Sequence, residues 1–157
     1  MCIVIDVNCL MAVFSNQDNQ HDEFKLISKW ILNKGGKLVY GGSSYKRELS
    51  KLRHFRFKFL VQLISGGYVL SGRDIEIDNV EKKIKDINTS KKFNDTHLAA
   101  IVDVYKCRVI CTQDKDSHRF LKAKKYYSKS TKPPSIYSCG KCKTLLNKKN
   151  LEPCKNC

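Results

Sequence analysis

Four cysteines late in the chain, Cys139, Cys142, Cys154 and Cys157, read C-x2-C-x11-C-x2-C. Paired C-x2-C knuckles suit a tetrahedral Zn(Cys)4 site, because each tight turn delivers two thiolates to one ion. Gly140 and Asn156 are turn residues inside the knuckles. The competing reading, a redox pair or free thiols, would leave a small polar module with little else to hold it folded. Four thiolates leave no open position for water, so this zinc, one per chain, is structural. A second set of residues is acidic: Asp6, Glu48, Asp95, Asp114 and Asp116. Each follows an apolar run or lies near the start of an amphipathic one. Carboxylates brought close together repel one another unless a cation lies between them. Hard divalent ions such as Mg²⁺ or Mn²⁺ prefer oxygen ligands. On a basic protein that combination points to phosphodiester hydrolysis, in which the metal acidifies a water and stabilises the leaving oxygen.

Those acids need elements to bring them together. Cys2-Ile3-Val4-Ile5 is a short apolar run that reads as a buried strand, with Asp6 at its carboxyl end. Lys37–Tyr40, residues 68–70 and Cys107–Thr112 read as further strands, and Asp114 and Asp116 follow the last of these. Apolar spacing predicts helices over about 22–33, 78–87, 95–106 and 117–126. It also predicts one long helix from Tyr45 to about Ile64, stopped by Gly66-Gly67, with Ser43-Ser44 as its cap and Glu48 near its start. Alternating strands and helices imply an α/β sandwich with a mostly parallel sheet. In such sheets ligands bind beyond the carboxyl ends of the strands, where Asp6 and Asp114 fall. Asp103 reads as a surface charge, and Asp74, Glu76, Asp78, Glu81 and Asp86 as a solvated mixed-charge stretch. Ser128–Pro134 reads as a polar linker. The division is therefore a domain over 1–130 and a zinc-ribbon module over 131–157.

Charge supplies the partner. Thirty Lys+Arg stand against fifteen Asp+Glu, a formal net charge of +15. Residues 117–157 carry eleven of the cations and one acid, Glu152. Such asymmetry suits a polyanion, most simply nucleic acid. One cationic group is Lys46, Arg47, Lys51, Arg53 and Arg56, around Glu48; another is Lys122, Lys124, Lys125, Lys141 and Lys143. Phosphate contacts of this kind position a strand without reading its sequence. Tyr126, Tyr127 and Tyr137 flank the second group and offer faces for base stacking. No apolar run approaches the length needed to span a bilayer. The first residues lack the basic start of a signal peptide, so the expected location is cytoplasmic, or nuclear and nucleolar in a eukaryote, rather than secreted. Cys2, Cys9, Cys107 and Cys111 then read as small buried hydrophobes rather than disulfide partners.

Four stretches together resemble the PIN-domain nucleases. They are Ile3-Val4-Ile5-Asp6-Val7-Asn8, Lys46-Arg47-Glu48-Leu49, Asn94-Asp95-Thr96-His97-Leu98-Ala99-Ala100 and Val109-Ile110-Cys111-Thr112-Gln113-Asp114-Lys115-Asp116, in that order across roughly residues 1–127. The resemblance implies a three-layer, Rossmann-like α/β/α fold and metal-dependent endonucleolytic cleavage of single-stranded RNA. It implies an acidic core of Asp6, Glu48, Asp95 and Asp114 holding Mg²⁺ or Mn²⁺, with Asp116 accessory and Asn8 and Thr112 as polar supports. Ser117 departs from the aromatic or apolar residue that many PIN domains place after the last acid. A PIN domain followed by a zinc ribbon is similar in layout to the ribosomal-RNA-processing PIN endonucleases, which implies RNA, and with it a ribosomal particle, as partner. VapC-type toxin ribonucleases, held by an inhibitory antitoxin protein, share the catalytic pattern and usually lack the ribbon. An RNA-binding assembly factor that does not cut is a further alternative, as is a nuclease acting on DNA flaps.

Overall fold

The structure is a computed structural model that describes residues 2–146, apart from the side chains of His54, Arg56 and Phe57. Five strands form one sheet: β1 (Cys2–Ile5), β2 (Lys37–Val39), β3 (Val69–Leu70), β4 (Val109–Cys111) and β5 (Ser135–Tyr137). Their order is β3-β2-β1-β4-β5, and every pairing is parallel. Ile3, Val4, Ile5, Val109, Ile110 and Cys111 are fully buried, as a parallel sheet covered on both faces requires. The chain steps outward from β1 to β2 and β3, then returns to the other side of β1 with β4 and β5. The order therefore reverses between β1 and β4, and it is beyond the strands' carboxyl ends at such a reversal that open α/β sheets bind ligands.

The helices are α1 (Leu10–Phe14), α2 (His21–Lys34), α3 (Ser43–Lys51), α4 (Arg53–Phe55), α5 (Val61–Ser65), α6 (Asp74–Ile87), α7 (Thr96–Tyr105) and α8 (Lys115–Leu121). α2 packs on α1, and α6 lies along α7. α7 is buried over its whole length, which its apolar composition demands. The single long helix expected over 45–64 is broken. α3 ends at Leu52, whose ψ of 65° leaves the helical region, and one π-helical turn, Arg56–Leu60, precedes α5. The break gives the two pieces separate burial directions. Tyr45 and Leu49 are buried from α3, while fully buried Phe55 packs on Phe14, ring centroids 5.7 Å apart.

The division at 130/131 falls before β5, which completes the sheet and carries fully buried Tyr137. The stretch ahead of it is also anchored rather than a free linker. Ser128 gives both its amide (3.0 Å) and its hydroxyl (2.8 Å) to Asp103 Oδ1. Asp103 is thus a buried anchor and not a surface charge. Pro133-Pro134 leads straight into the strand, where the Ser135 amide donates to the Arg108 carbonyl at 2.8 Å. The first cysteine knuckle follows directly and sits against α2: the Gly140 amide donates to the Glu23 carboxylate, and Tyr137 OH donates to the Glu23 carbonyl at 3.1 Å.

Candidate functional site

Asp6 leaves β1 but not the ladder. Its amide donates to the Cys111 carbonyl at 2.8 Å, which sets it beside Thr112 at the reversal point. The side chain is 4% exposed, and a buried carboxylate needs donors. It has two: the Asn8 amide reaches Oδ1 at 3.0 Å, and Thr112 Oγ1 reaches Oδ2 at 2.7 Å. Asn8 supports the acid through its backbone, while its exposed side chain takes no part in that bond. Thr112 Oγ1 also accepts the Asp114 amide at 3.2 Å. Asp114 in turn caps α8 by accepting the Asp116 amide at 2.9 Å. Asp116 itself is exposed in the first turn of α8, and here it contributes an amide rather than its carboxylate.

Asp95 stands at the start of α7. Burial, followed by the charges of Asp6 and Asp114, pushes its carboxyl up to about 6; Glu48 adds to the rise and the Ser117 hydroxyl opposes it. The charges of Asp6, Glu48 and Asp114 thus all bear on Asp95, although the four acids come from β1, α3, the end of β4 and the start of α7. Glu48 is brought in by Tyr45, one turn earlier on α3. The Tyr45 hydroxyl donates to the Ile5 carbonyl at 2.7 Å and ties α3 to the end of β1. Burial, then the charges of Asp6 and Glu48, hold this phenol well above its ordinary range. Among the described residues, no three His, Cys, Asp or Glu side chains are close enough to grip an ion as they stand. Their chemistry nonetheless fits a hard divalent cation: all the donors are carboxylate oxygens, and Asp95, raised by burial and further by the charges of Asp6, Asp114 and Glu48, carries a cost that such an ion would relieve.

Several supports escaped the sequence reading. Glu81 is not solvated: it is 4% exposed and accepts Ser44 Oγ and Thr96 Oγ1, both at 3.1 Å, while pairing with Lys85 at 2.6 Å. It joins the starts of α3 and α7, the two helices that carry Glu48 and Asp95. Its signal was present, because Ile77, Glu81 and Ile84 form one buried helical stripe. Asp74 and Asp78 accept the Gly42 and Ser43 amides at 2.8 and 2.7 Å, so α3 is capped from α6 rather than by its own serines. Gly42 has φ 79°, and a Cβ there would stand 2.6 Å from Ile77 Cγ2. His97 is buried below Glu48, with Nε2 at 3.5 Å from Glu48 Oε2.

The Cys139 and Cys142 sulfurs are 3.8 Å apart. Two sulfurs at about 2.3 Å from one tetrahedral zinc are separated by about 3.8 Å, so the first knuckle has the spacing of a zinc half-site. Burial opposes ionisation of Cys142, but hydrogen bonds with the backbone of Ser138 and Cys139 outweigh it and lower this thiol. Cys154 and Cys157 lie outside the described residues.

The cations divide by what they already hold. Lys46 pairs with Asp74, and Lys124 is turned onto the carbonyls of Ser128, Lys129 and Thr131. Both act structurally. Arg47, Lys51, Arg53, Lys122, Lys125, Lys141 and Lys143 are exposed; the side chain of Arg56 is outside those described. Tyr126, Tyr127 and Tyr137 are buried and present no stacking face, because their rings fill the core beneath the basic segment. No helix among the described residues is long and apolar enough to cross a membrane. No family model, curated protein or solved structure matches the chain.

Proposed function

We propose that the chain is a divalent-metal-dependent endoribonuclease of PIN type that hydrolyses phosphodiester bonds in single-stranded RNA. The observation that carries this reading is geometric: Asp6, at the end of β1, is joined through the Thr112 hydroxyl (2.7 Å) to the Asp114 amide (3.2 Å) at the reversal of the sheet, with Asp95 raised beside them by burial and then by their charges. It occurs at the one place in a doubly wound sheet where ligands bind. Asp6, Glu48, Asp95 and Asp114 would hold Mg²⁺ or Mn²⁺, and the ion supplies an acidified water and charge neutralisation at the phosphate. The chain's own residues do the rest. Thr112 and the Asn8 amide fix the orientation of Asp6, and Tyr45 fixes α3. A net charge of +15 draws a polyanion to this acidic crevice.

The first knuckle, docked on α2 with its sulfurs at zinc spacing, favours the ribbon-bearing RNA-processing type, with a ribosomal particle as partner, over a VapC-type toxin held by an inhibitor. The test is cleavage of single-stranded RNA in Mn²⁺ or Mg²⁺. Wild type is expected to cut, with activity lost in EDTA and in Asp6→Asn. If wild type and Asp6→Asn behave alike while both bind RNA, the chain is a binding factor that does not cut. Preference for a flapped DNA of the same sequence would move the substrate class to DNA.

A further inference from the structure

Glu48 has a second side. Away from the other carboxylates it lines a polar pocket of about 260 Å³, together with Arg47, Lys51, Lys85, Asn94 and His97. The pocket's other acid, Glu81, is already satisfied by Ser44, Thr96 and Lys85. Lys85 is therefore committed to Glu81. Arg47 and Lys51, four residues apart on one face of α3, have no carboxylate partner among the described residues. His97 Nε2 is buried and completes no hydrogen bond among the described residues, although Glu48 stands 3.5 Å away. Arg47 gives one guanidinium N–H to the Ser44 hydroxyl at 3.5 Å and keeps its other donors, so the donors left for a ligand are those of two cations, the Asn94 amide and an imidazole nitrogen. That set suits an anion with several acceptor oxygens and one negative charge, which is a phosphodiester.

We propose that this pocket seats a backbone phosphate of a single-stranded nucleic acid, one step along the strand from the bond being cut. The inference rests on the nuclease reading of the adjoining crevice, because Glu48 is the wall the two share. It assigns Arg47 and Lys51 to one phosphate, with Asn94 beside them, instead of to a diffuse basic surface.

The probe is a short single-stranded oligonucleotide carrying one neutral methylphosphonate, moved one position at a time and bound to the Asp6→Asn protein. One position is expected to weaken binding. Arg47→Gln with Lys51→Gln, added to the same protein, should remove sensitivity at that position alone and make the salt dependence shallower by about 0.7 in log–log slope. Lys85 is left in place because Glu81 depends on it. Lys29→Gln, exposed on α2, serves as the control, and thermal melts confirm that each variant is folded. The proposal is overturned if no position responds to the double variant, if the double variant matches Lys29→Gln, or if inorganic phosphate competes as well as the oligonucleotide. Cleavage by wild type run alongside separates the two readings. Cutting with an insensitive scan removes the pocket alone; a sensitive scan without cutting removes the nuclease.

Discussion

Thr112 Oγ1 donates to Asp6 Oδ2 at 2.7 Å while accepting the Asp114 amide at 3.2 Å. One hydroxyl thus spans the reversal point of the sheet, holding the acid that ends β1 in register with the loop that follows β4. Without that bond Asp6 keeps only the Asn8 amide, and its plane is free to turn. Thr112→Val is therefore expected to lower kcat by about 10- to 100-fold, as loss of a partner behind a metal ligand does. Thr112→Ser should stay close to wild type. Single-turnover cleavage of one RNA by the three proteins checks this, and equal rates for valine and threonine would contradict it.

Asp95 sets a conflict between stability and function. Its folded-state carboxyl lies near 6, above the ordinary 3.8, so the folded protein binds this proton more tightly than the unfolded chain. The penalty is present in full above about pH 6 and fades as pH falls towards 4. Discounted for partial exposure, it is on the order of 2 kcal/mol. Asp95→Asn should stabilise the metal-free protein by about that amount at pH 7, make little difference near pH 4, and abolish cleavage. Urea melts in EDTA at the two pH values decide it. No gain at pH 7 would mean that burial and the neighbouring acids do not disfavour the Asp95 charge as described.

Much of this architecture is readable from local patterns. Cys2–Ile5 and Val109–Cys111 are buried on both faces and so appear as unbroken apolar runs, with Asp6 and Asp114 marked by following them. Physics that acts across the fold was not readable. β5 is three residues long after two prolines, and its partner β4 rather than its own sequence makes it a strand. Glu81 is marked by its place on the Ile77–Ile84 stripe, but its partners Ser44 and Thr96 come from other helices and no local pattern records them. Asp103 looked solvated on an otherwise apolar helix, yet its partners, Ser128 and Lys106, include one from twenty-five residues downstream. The bend after Lys51 depends on where Phe14 and Phe55 meet, which no helical spacing records.

Glu81 yields a prediction of its own. Burial works against its charge, but hydrogen bonds and the charge of Lys85, with Ser44 and Thr96, prevail and hold its carboxyl below the ordinary 4.5. Its contribution is therefore present above that pH and is lost as pH falls through the lowered value. Glu81→Ala leaves two hydroxyls and an ammonium without their acceptor, and should cost about 1–3 kcal/mol at pH 7. Cleavage should fall as well, because the starts of α3 and α7 are no longer tied together. Glu81→Gln, which can still accept from the hydroxyls, should recover part of both. A melt of Glu81→Ala superimposing on wild type would show the acid to be dispensable.

The proposed zinc half-site can be followed through the chain's single tryptophan. Trp30 is 4% exposed on α2 and shares a cleft with Lys143 and Leu146, which follow the first knuckle. The knuckle is held to α2 by the bond from the Gly140 amide to Glu23. Metal loss frees two thiolates 3.8 Å apart to separate, and this should loosen the turn over Trp30. About one zinc per chain is expected by elemental analysis, falling to none in Cys139→Ser with Cys142→Ser. Chelation should red-shift and weaken Trp30 emission, while far-ultraviolet circular dichroism keeps most of its helical signal because the sheet and α7 do not depend on the metal. Stoichiometric zinc with an unchanged spectrum after chelation would place the ion away from this knuckle.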